Sequence, residues 1–355
     1  MSQVLFDQLP VLQIIGGSSP EVNEQPAAIL VAQAAYHLEE LLPLANQLHR
    51  RGKPCLVVAP APPRRVLHRW RPSVKRHKEL LDAAPWAGGQ LLTETQLTQA
   101  TALVVLNDWG TTASLVDFMK NQQVPTFAWV EGVQDFQDVD TGKQRQAYRS
   151  VDHVFCLGQY SYDALSGCSR TLIGSERLTK LWHQEPLPAQ DEKLLVNLNF
   201  TYGVGEQHRR PWLKSVQKAS RLAGWRYTIS QHVADKGLVA PWRRSQEDAG
   251  ALLSRSPRFV TRFSTLGYEA LVRGVPMTYH NPHGEKVPTF ADHRGAFSLS
   301  SSVDELAKAL REPPLSREEV RKQAEEFLHH HHLHLERAES PAERAAKQIA
   351  AVLES

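Results

Sequence analysis

Short apolar runs rich in β-branched residues alternate along this chain with longer stretches whose apolar positions recur every three or four residues. Residues 27–33, 54–59, 101–106, 126–130 and 153–157 have the length and composition of buried strands. Between the first two, residues 36–51 place Leu38, Leu41, Leu42, Leu44, Ala45 and Leu48 on one helical stripe, which Gly52 ends. Residues 111–121 read as another helix. Strands and helices alternating in this way predict βαβ units and a mostly parallel sheet, a Rossmann-like domain over residues 1–183.

Residues 184–193 carry two prolines and no apolar period, the mark of an interdomain linker. A second series follows, with strands at 193–200, 225–231, 259–263 and 276–280. Helices are predicted at 210–223, 246–254, 265–273, 303–311, 317–335 and 342–353. The expected organisation is α/β throughout: a second Rossmann-like domain over 194–337, then a C-terminal helix within 338–355 that packs back on the first domain. A length of 355 residues suits two such cores.

Charge narrows the partners. Forty-one basic residues against 38 acidic ones give a net charge of +3, without the one-signed excess that nucleic-acid binding requires, so no nucleic-acid partner is expected. Basic side chains are dense at Arg64, Arg65, His68, Arg69, Arg71, Lys75, Arg76, His77 and Lys78. That stretch reads as a solvated face or as a dock for an anionic acceptor or membrane surface. Cys55, Cys156 and Cys168 show no pairing or zinc spacing. With no 18-residue apolar run, these features predict a cytoplasmic protein, peripheral at most to the inner membrane face. His329 to His332 and His334 sit in an amphipathic pattern without carboxylates at ligand offsets, and no metal or other cofactor is expected. Gly16-Gly17-Ser18-Ser19 lacks phosphate-loop spacing.

Residues 259–286 carry the most chemistry. An apolar strand ends in Ser264-Thr265, a helix begins there with Glu269 in it, and Gly274-Val275-Pro276 breaks into another strand. A polar loop, Asn281-Pro282-His283-Gly284-Glu285-Lys286, follows. Hydroxyls and free N–H groups at a helix start form an anion site, with Glu269 placed for ribose hydroxyls. Strand 193–200 runs into Asn199, Thr201, Tyr202 and Gly203, a polar turn at the start of the second domain. In the first domain, Asp108 and Glu131-Gly132 each follow a strand.

This arrangement resembles the second domain of the GT-B superfamily of nucleotide-sugar glycosyltransferases. Within it, the chain is similar to enzymes with cytidine-nucleotide donors: capsule Kdo transferases, bacterial sialyl- and polysialyltransferases, and teichoic acid glycerophosphotransferases. These share a His-Pro motif and a Ser-Ser or Ser-Thr motif, both of which contact the nucleotide. Ser264-Thr265 matches the second, and His232 matches the first with Val233 in place of proline. The resemblance implies two Rossmann-like domains facing across a cleft, and a donor held by His232, Ser264, Thr265, Glu269, Asn199, Thr201 and Lys286. Glu131-Gly132 resembles the acidic-Gly motif of polysialyltransferase-like enzymes, which makes Glu131 the general base; Asp108 is the alternative, as orienter or nucleophile. The implied activity is transfer of an acidic sugar such as Kdo or sialic acid from a CMP- or CDP-activated donor to a polysaccharide or glycolipid acceptor. The alternatives are a UDP-sugar transferase or 2-epimerase, and a silent nucleotide- or glycan-binding protein. Asp135, Asp138 and Asp140 read as solvated loop acids.

Overall fold

The apolar runs condense into two sheets, one mostly and one wholly parallel, each the core of a separate unit, in a computed structural model that describes residues 12–17, 26–60, 91–132, 146–201, 204–232, 235, 237, 243–332 and 338–354. Unit 1 takes in Met1–Val133, Gln146–Thr179 and His332–Ser355; unit 2 takes in Gln134–Arg145 and Lys180–His331. The basic stretch 64–78, Asp135, Asp138, Asp140, Tyr202, Val233 and His334 lie outside the described residues.

Unit 1 is built on β1 (Leu12–Gly17), β2 (Ala28–Val31), β3 (Cys55–Pro60), β4 (Ala102–Val105), β5 (Thr126–Trp129), β6 (His153–Cys156) and β7 (Arg170–Leu172). Their order across the sheet is β1-β3-β2-β4-β5-β6-β7. Only β1 runs antiparallel, along the edge, with an irregular register between Ile14 and Gly16. Strands β2, β4, β5 and β6 are buried at all four positions, as strands covered on both faces must be. The helices are α1 (Ala35–Arg50), α2 (Glu94–Thr98), α3 (Ala113–Asn121), α4 (Gln159–Ala164) and α5 (Glu176–Trp182), within which unit 1 gives way to unit 2. Glu40 of α1 is buried and receives Ser175 Oγ at 2.5 Å and the Glu176 N–H at 2.6 Å, capping the start of α5. Burial outweighs those donors and pushes its carboxyl up to about 7.

Unit 2 contains β8 (Lys193–Leu198), α6 (Arg209–Leu222), β9 (Arg226–Gln231), α7 (Ala249–Arg255), β10 (Phe259–Thr261), α8 (Thr265–Val272), β11 (Met277–His280), α9 (Pro288–Ala291), β12 (Ser298–Ser300), α10 (Val303–Arg311) and α11 (Arg317–His331). The sheet is parallel throughout, ordered β12-β11-β10-β8-β9. Trp212, Leu213, Val216 and Ala219 of α6 pack with Leu306, Ala307 and Leu310 of α10 over β8 and β9. Each large side chain so buried contributes roughly 1.5–3 kcal/mol. Gly274 ends α8 at φ +71, and a Cβ there would stand 2.2 Å from the Arg317 carbonyl oxygen, so only glycine makes this turn. Of the histidine run, His331 is buried against Phe327, with ring centroids 4.5 Å apart.

The chain returns to unit 1 in α12 (Pro341–Leu353). This helix packs on α1, with Lys53 and Glu354 2.9 Å apart and the Ala342 N–H donating to Glu176 Oε2 at 3.0 Å. Strands β1, β7 and β12 are additions to the sequence-predicted set, and α11 stops at His331 instead of 335, with 333–337 beyond the described residues. Among the described residues, no helix is long and apolar enough to cross a membrane.

Candidate functional site

A parallel sheet leaves a crevice wherever two neighbouring strands send their connections in opposite directions, and ligands bind at its carboxyl edge. The strand orders fix both crevices. In unit 1, β2 connects to β3 on one side while β4 connects to β5 on the other. In unit 2, β8 connects to β9 and β10 connects to β11. The residues singled out in the sequence fall at these two edges.

At the unit 1 edge, Gln33 follows β2, Asn107 follows β4 and Glu131 follows β5. Asn107 Nδ2 donates to Gln33 Oε1 at 3.0 Å and to Glu131 Oε2 at 3.2 Å, bridging all three strand ends. Tyr36 Oη donates to Glu131 Oε1. His37 Nε2 lies 3.3 Å from the same oxygen. Because His37 Nδ1 accepts the Gln33 N–H at 3.2 Å, the ring proton belongs on Nε2, facing the carboxylate. Burial holds His37 down at about 3, so the contact is a neutral imidazole beside a carboxylate and not an ion pair. Glu131 is thus held by two neutral donors, Tyr36 Oη and Asn107 Nδ2, with a neutral imidazole alongside. The Glu131 N–H is held in turn by Tyr148 Oη at 2.9 Å.

Asp108 sits beside Asn107, in the loop after β4, with a different set of partners. Its Oδ1 accepts the Tyr148 N–H at 2.7 Å, and its Oδ2 accepts Ser150 N–H at 2.9 Å and Ser150 Oγ at 2.6 Å. Tyr148 is fully buried in the left-handed region at φ +61, a conformation that costs a non-glycine residue energy and clusters at functional sites. Asp108 is therefore the anchor that holds Tyr148 under Glu131.

At the unit 2 edge, Ser264 ends the β10 connection and caps α8, its Oγ accepting the Leu266 N–H at 3.2 Å. Asn199, beyond β8, donates to the Phe263 carbonyl at 3.3 Å, and Thr201 Oγ1 donates to Asn199 Oδ1 at 3.3 Å. These bonds bring Asn199, Thr201, Ser264 and Thr265 together across the crevice. His232 lies at the end of β9, one strand further out, its N–H donating to Leu198 O at 2.8 Å. Burial lowers its imidazole below the ordinary range while Asp235 opposes the shift. Glu269 Oε1 is occupied by Arg273, with Nε at 3.1 Å and Nη2 at 2.9 Å. Lys286 is exposed beyond the 281–285 loop.

One residue that the sequence reading passed over organises this edge. Arg262 stands in the apolar run 259–263, yet only 1% of its side chain is exposed. Its Nη2 meets Glu285 Oε1 at 2.5 Å, and its Nη1 donates to the carbonyls of Asn199 at 2.8 Å and Val204 at 3.0 Å. The guanidinium also stacks between Phe200 and Phe263, 4.3 and 4.5 Å from their ring centroids. It ties the loop after β8 to the loop after β11. The available signal was a lone arginine inside a strand-length apolar run. Tyr36, His37 and Asn107 were likewise missed, the first two because they open a helix whose apolar stripe drew the assignment.

Comparison with solved structures confirms the architecture. The chain superposes on S. aureus MnaA in its UDP co-structure with a TM-score of 0.61, at 15% identity, over 93% of this chain and 97% of that one. It superposes on the Methanocaldococcus jannaschii UDP-GlcNAc 2-epimerase bound to UDP-GlcNAc and UDP with a TM-score of 0.60, at 12% identity, over 92% and 100%. The fold is that of the GT-B superfamily. A histidine-to-asparagine variant of the wall teichoic acid polymerase TagF gives a TM-score of 0.54 at 12% identity, over 95% and 91%. No family model matches the sequence, and no curated protein matches it significantly.

Proposed function

We propose that this chain is a GT-B nucleotide-sugar enzyme in which Glu131 is the carboxylate that takes up a proton. The observation that supports this is the setting of Glu131: a sheet-edge acid fixed by Tyr36 and Asn107, beside an imidazole kept neutral by burial. A base so placed has its orientation fixed before substrate arrives. The Ser264-Thr265 start of α8, with Asn199 and Thr201, supplies the hydroxyls, amide and positive helix end that suit a nucleotide's phosphates.

In the transferase reading, Glu131 removes the acceptor hydroxyl proton as the bond to the nucleotide breaks. Epimerisation is the second reading, favoured by the TM-score of 0.60 to a UDP-GlcNAc 2-epimerase, and it employs the same carboxylate on a sugar C–H. The expected donor with CMP or CDP and an acidic sugar is one arm of the test, and a uridine donor is the other. A thermal-shift panel of CMP, CDP, UMP, UDP and UDP-GlcNAc decides between them, since a ligand that binds only the folded chain adds about 2.7 kcal/mol at a hundred times its Kd. A rise with UDP and UDP-GlcNAc alone sinks the cytidine assignment; no rise with any nucleotide sinks the enzyme reading. Incubating the stabilising sugar nucleotide with and without an acceptor then separates transfer from epimerisation.

A further inference from the structure

Loops at the edge of a sheet are more mobile than the strands they join. The turn after β8, which carries Asn199 and Thr201, is instead pinned through its backbone by charged side chains. Arg262 Nη1 donates to the carbonyls of Asn199 at 2.8 Å and Val204 at 3.0 Å. Between them, the Phe200 N–H donates to Asp235 Oδ2 at 3.3 Å, and the Phe200 carbonyl accepts Arg209 Nη2 at 2.8 Å. Each arginine has its own carboxylate: Arg262 Nη2 meets Glu285 Oε1 at 2.5 Å, and Arg209 Nε lies 2.8 Å from Asp235 Oδ1. Exposed fractions are 1% for Arg262, 9% for Glu285, 13% for Arg209 and 0% for Asp235. Glu285 also commits the loop after β11, where Asn281 Oδ1 accepts its N–H at 2.7 Å and Asn281 Nδ2 donates to its carbonyl at 2.9 Å. The same two segments meet again in the stacked rings of His208 and His283, centroids 4.2 Å apart.

Stability alone does not account for charges buried in this way. Desolvating a guanidinium and a carboxylate costs about as much as their attraction returns, and two apolar side chains of like volume would serve the core as well. What apolar side chains cannot do is fix two carbonyls and a carboxylate, from two loops, in one geometry. Asn199 depends on that geometry, since its amide reaches the Phe263 carbonyl, next to Ser264, and its oxygen receives the Thr201 hydroxyl. A turn ordered in advance spares an incoming ligand the entropy of ordering it.

We infer that Arg262 and Glu285 are positioning residues for the nucleotide edge: the pair presets Asn199 and Thr201, so that a phosphate-bearing ligand meets donors already in place. The inference rests on the reading of this edge as the nucleotide site, and it goes beyond that reading by naming the buried pair that sets its affinity.

The test compares the full chain with its Arg262→Met, Glu285→Met double variant, which removes the pair without leaving a lone buried charge. Calorimetric titration with UDP and with CDP reads affinity, and amide hydrogen exchange reads the turn. Whichever nucleotide the parent binds should bind the folded double variant about tenfold more weakly. The Phe200 and Val204 amides should exchange at least about tenfold faster, while Val196 in β8 and Thr278 in β11 keep the parent's rates. A pair that only stabilised the fold would leave the affinity of the folded chain unmoved, so an unchanged Kd overturns the positioning role. Arg262→Lys keeps a cation beside Glu285 but cannot fork across both carbonyls; it should lose about threefold in affinity, and it carries the comparison if the double variant does not fold. If the parent binds neither nucleotide, the nucleotide reading falls and hydrogen exchange judges the pair. Unchanged Phe200 and Val204 rates then overturn it, and faster rates uphold it as the element that orders the turn.

Discussion

Replacing Asp108 and Glu131 in turn separates an acid that holds the fold from one that does chemistry. In Asp108→Ala, the Tyr148 N–H loses its acceptor inside a fully buried residue, which costs about 2 kcal/mol. The Ser150 N–H and hydroxyl lose theirs at a part-buried position where water can reach, adding about 1 kcal/mol. Tyr148 also loses the bond that holds it at φ +61. The total is about 3 kcal/mol, a fall in Tm of roughly 6–12 °C for a domain of this size. Glu131→Gln is isosteric at a part-exposed site and should change stability by less than about 1 kcal/mol. It should nevertheless lower turnover by roughly 10²–10⁴-fold as a lost general base. Urea unfolding followed by far-UV circular dichroism, beside turnover of whichever sugar nucleotide stabilises the chain, reads both quantities. An Asp108→Ala protein that unfolds with the parent yet is inactive would refute the structural assignment; full turnover in Glu131→Gln would refute the chemical one.

Glu40, with its carboxyl raised from 4.5 to about 7, binds its proton more tightly folded than unfolded; its contribution is complete below about pH 4.5 and is lost as pH climbs through 7. Glu40→Gln should therefore flatten a slope worth roughly 3 kcal/mol between pH 5 and 8 in urea titrations run at each pH. Glu285→Ala leaves Arg262 buried without its carboxylate and should cost about 3–5 kcal/mol, whereas a paired Arg262→Met, Glu285→Met change should recover part of that in a double-mutant cycle. Ser264→Ala should cost about 1 kcal/mol as a lost helix cap, and should also abolish the nucleotide-induced rise in Tm, seen by thermal shift.

The framework was readable because its strands are buried on both faces. Continuous apolar runs such as Ala28–Val31 and Ala102–Val105 have one structural outcome, whatever lies around them. The edge strands β1, β7 and β12 were not readable, since a sheet edge tolerates mixed sequence: β12 has two exposed positions of three, and β7 has no buried one. At the site, Glu131 and Asp108 look alike in sequence, each an acid just past a strand. What distinguishes them is the identity of their donors, and Tyr148 and Ser150 lie forty residues from Asp108 along the chain. Glu269 was placed for a ribose from its position in the helix that Ser264 starts, and the i+4 arginine that bonds its Oε1 was visible in the same stretch as Arg273. Arg262 was hidden by a rule that holds elsewhere, that strand-length apolar runs bury apolar side chains. Here the buried group is a cation whose partner, Glu285, arrives from a loop more than twenty residues away.

The return of α12 to unit 1 has a consequence for how the molecule is made and how it comes apart. Unit 1 begins before unit 2 and ends after it, so a ribosome delivers all of 180–331 before the helix that rests on α1. Domains generally fold as they emerge, which here lets the second unit close while the first still lacks Glu343 and Glu354 opposite Arg51 and Lys53. Order of synthesis and order of completion are reversed. The same threading governs mechanical strength. A tether pulling on the last residue loads α12 first, and unit 1 yields its final helix before any tension reaches the strands of unit 2.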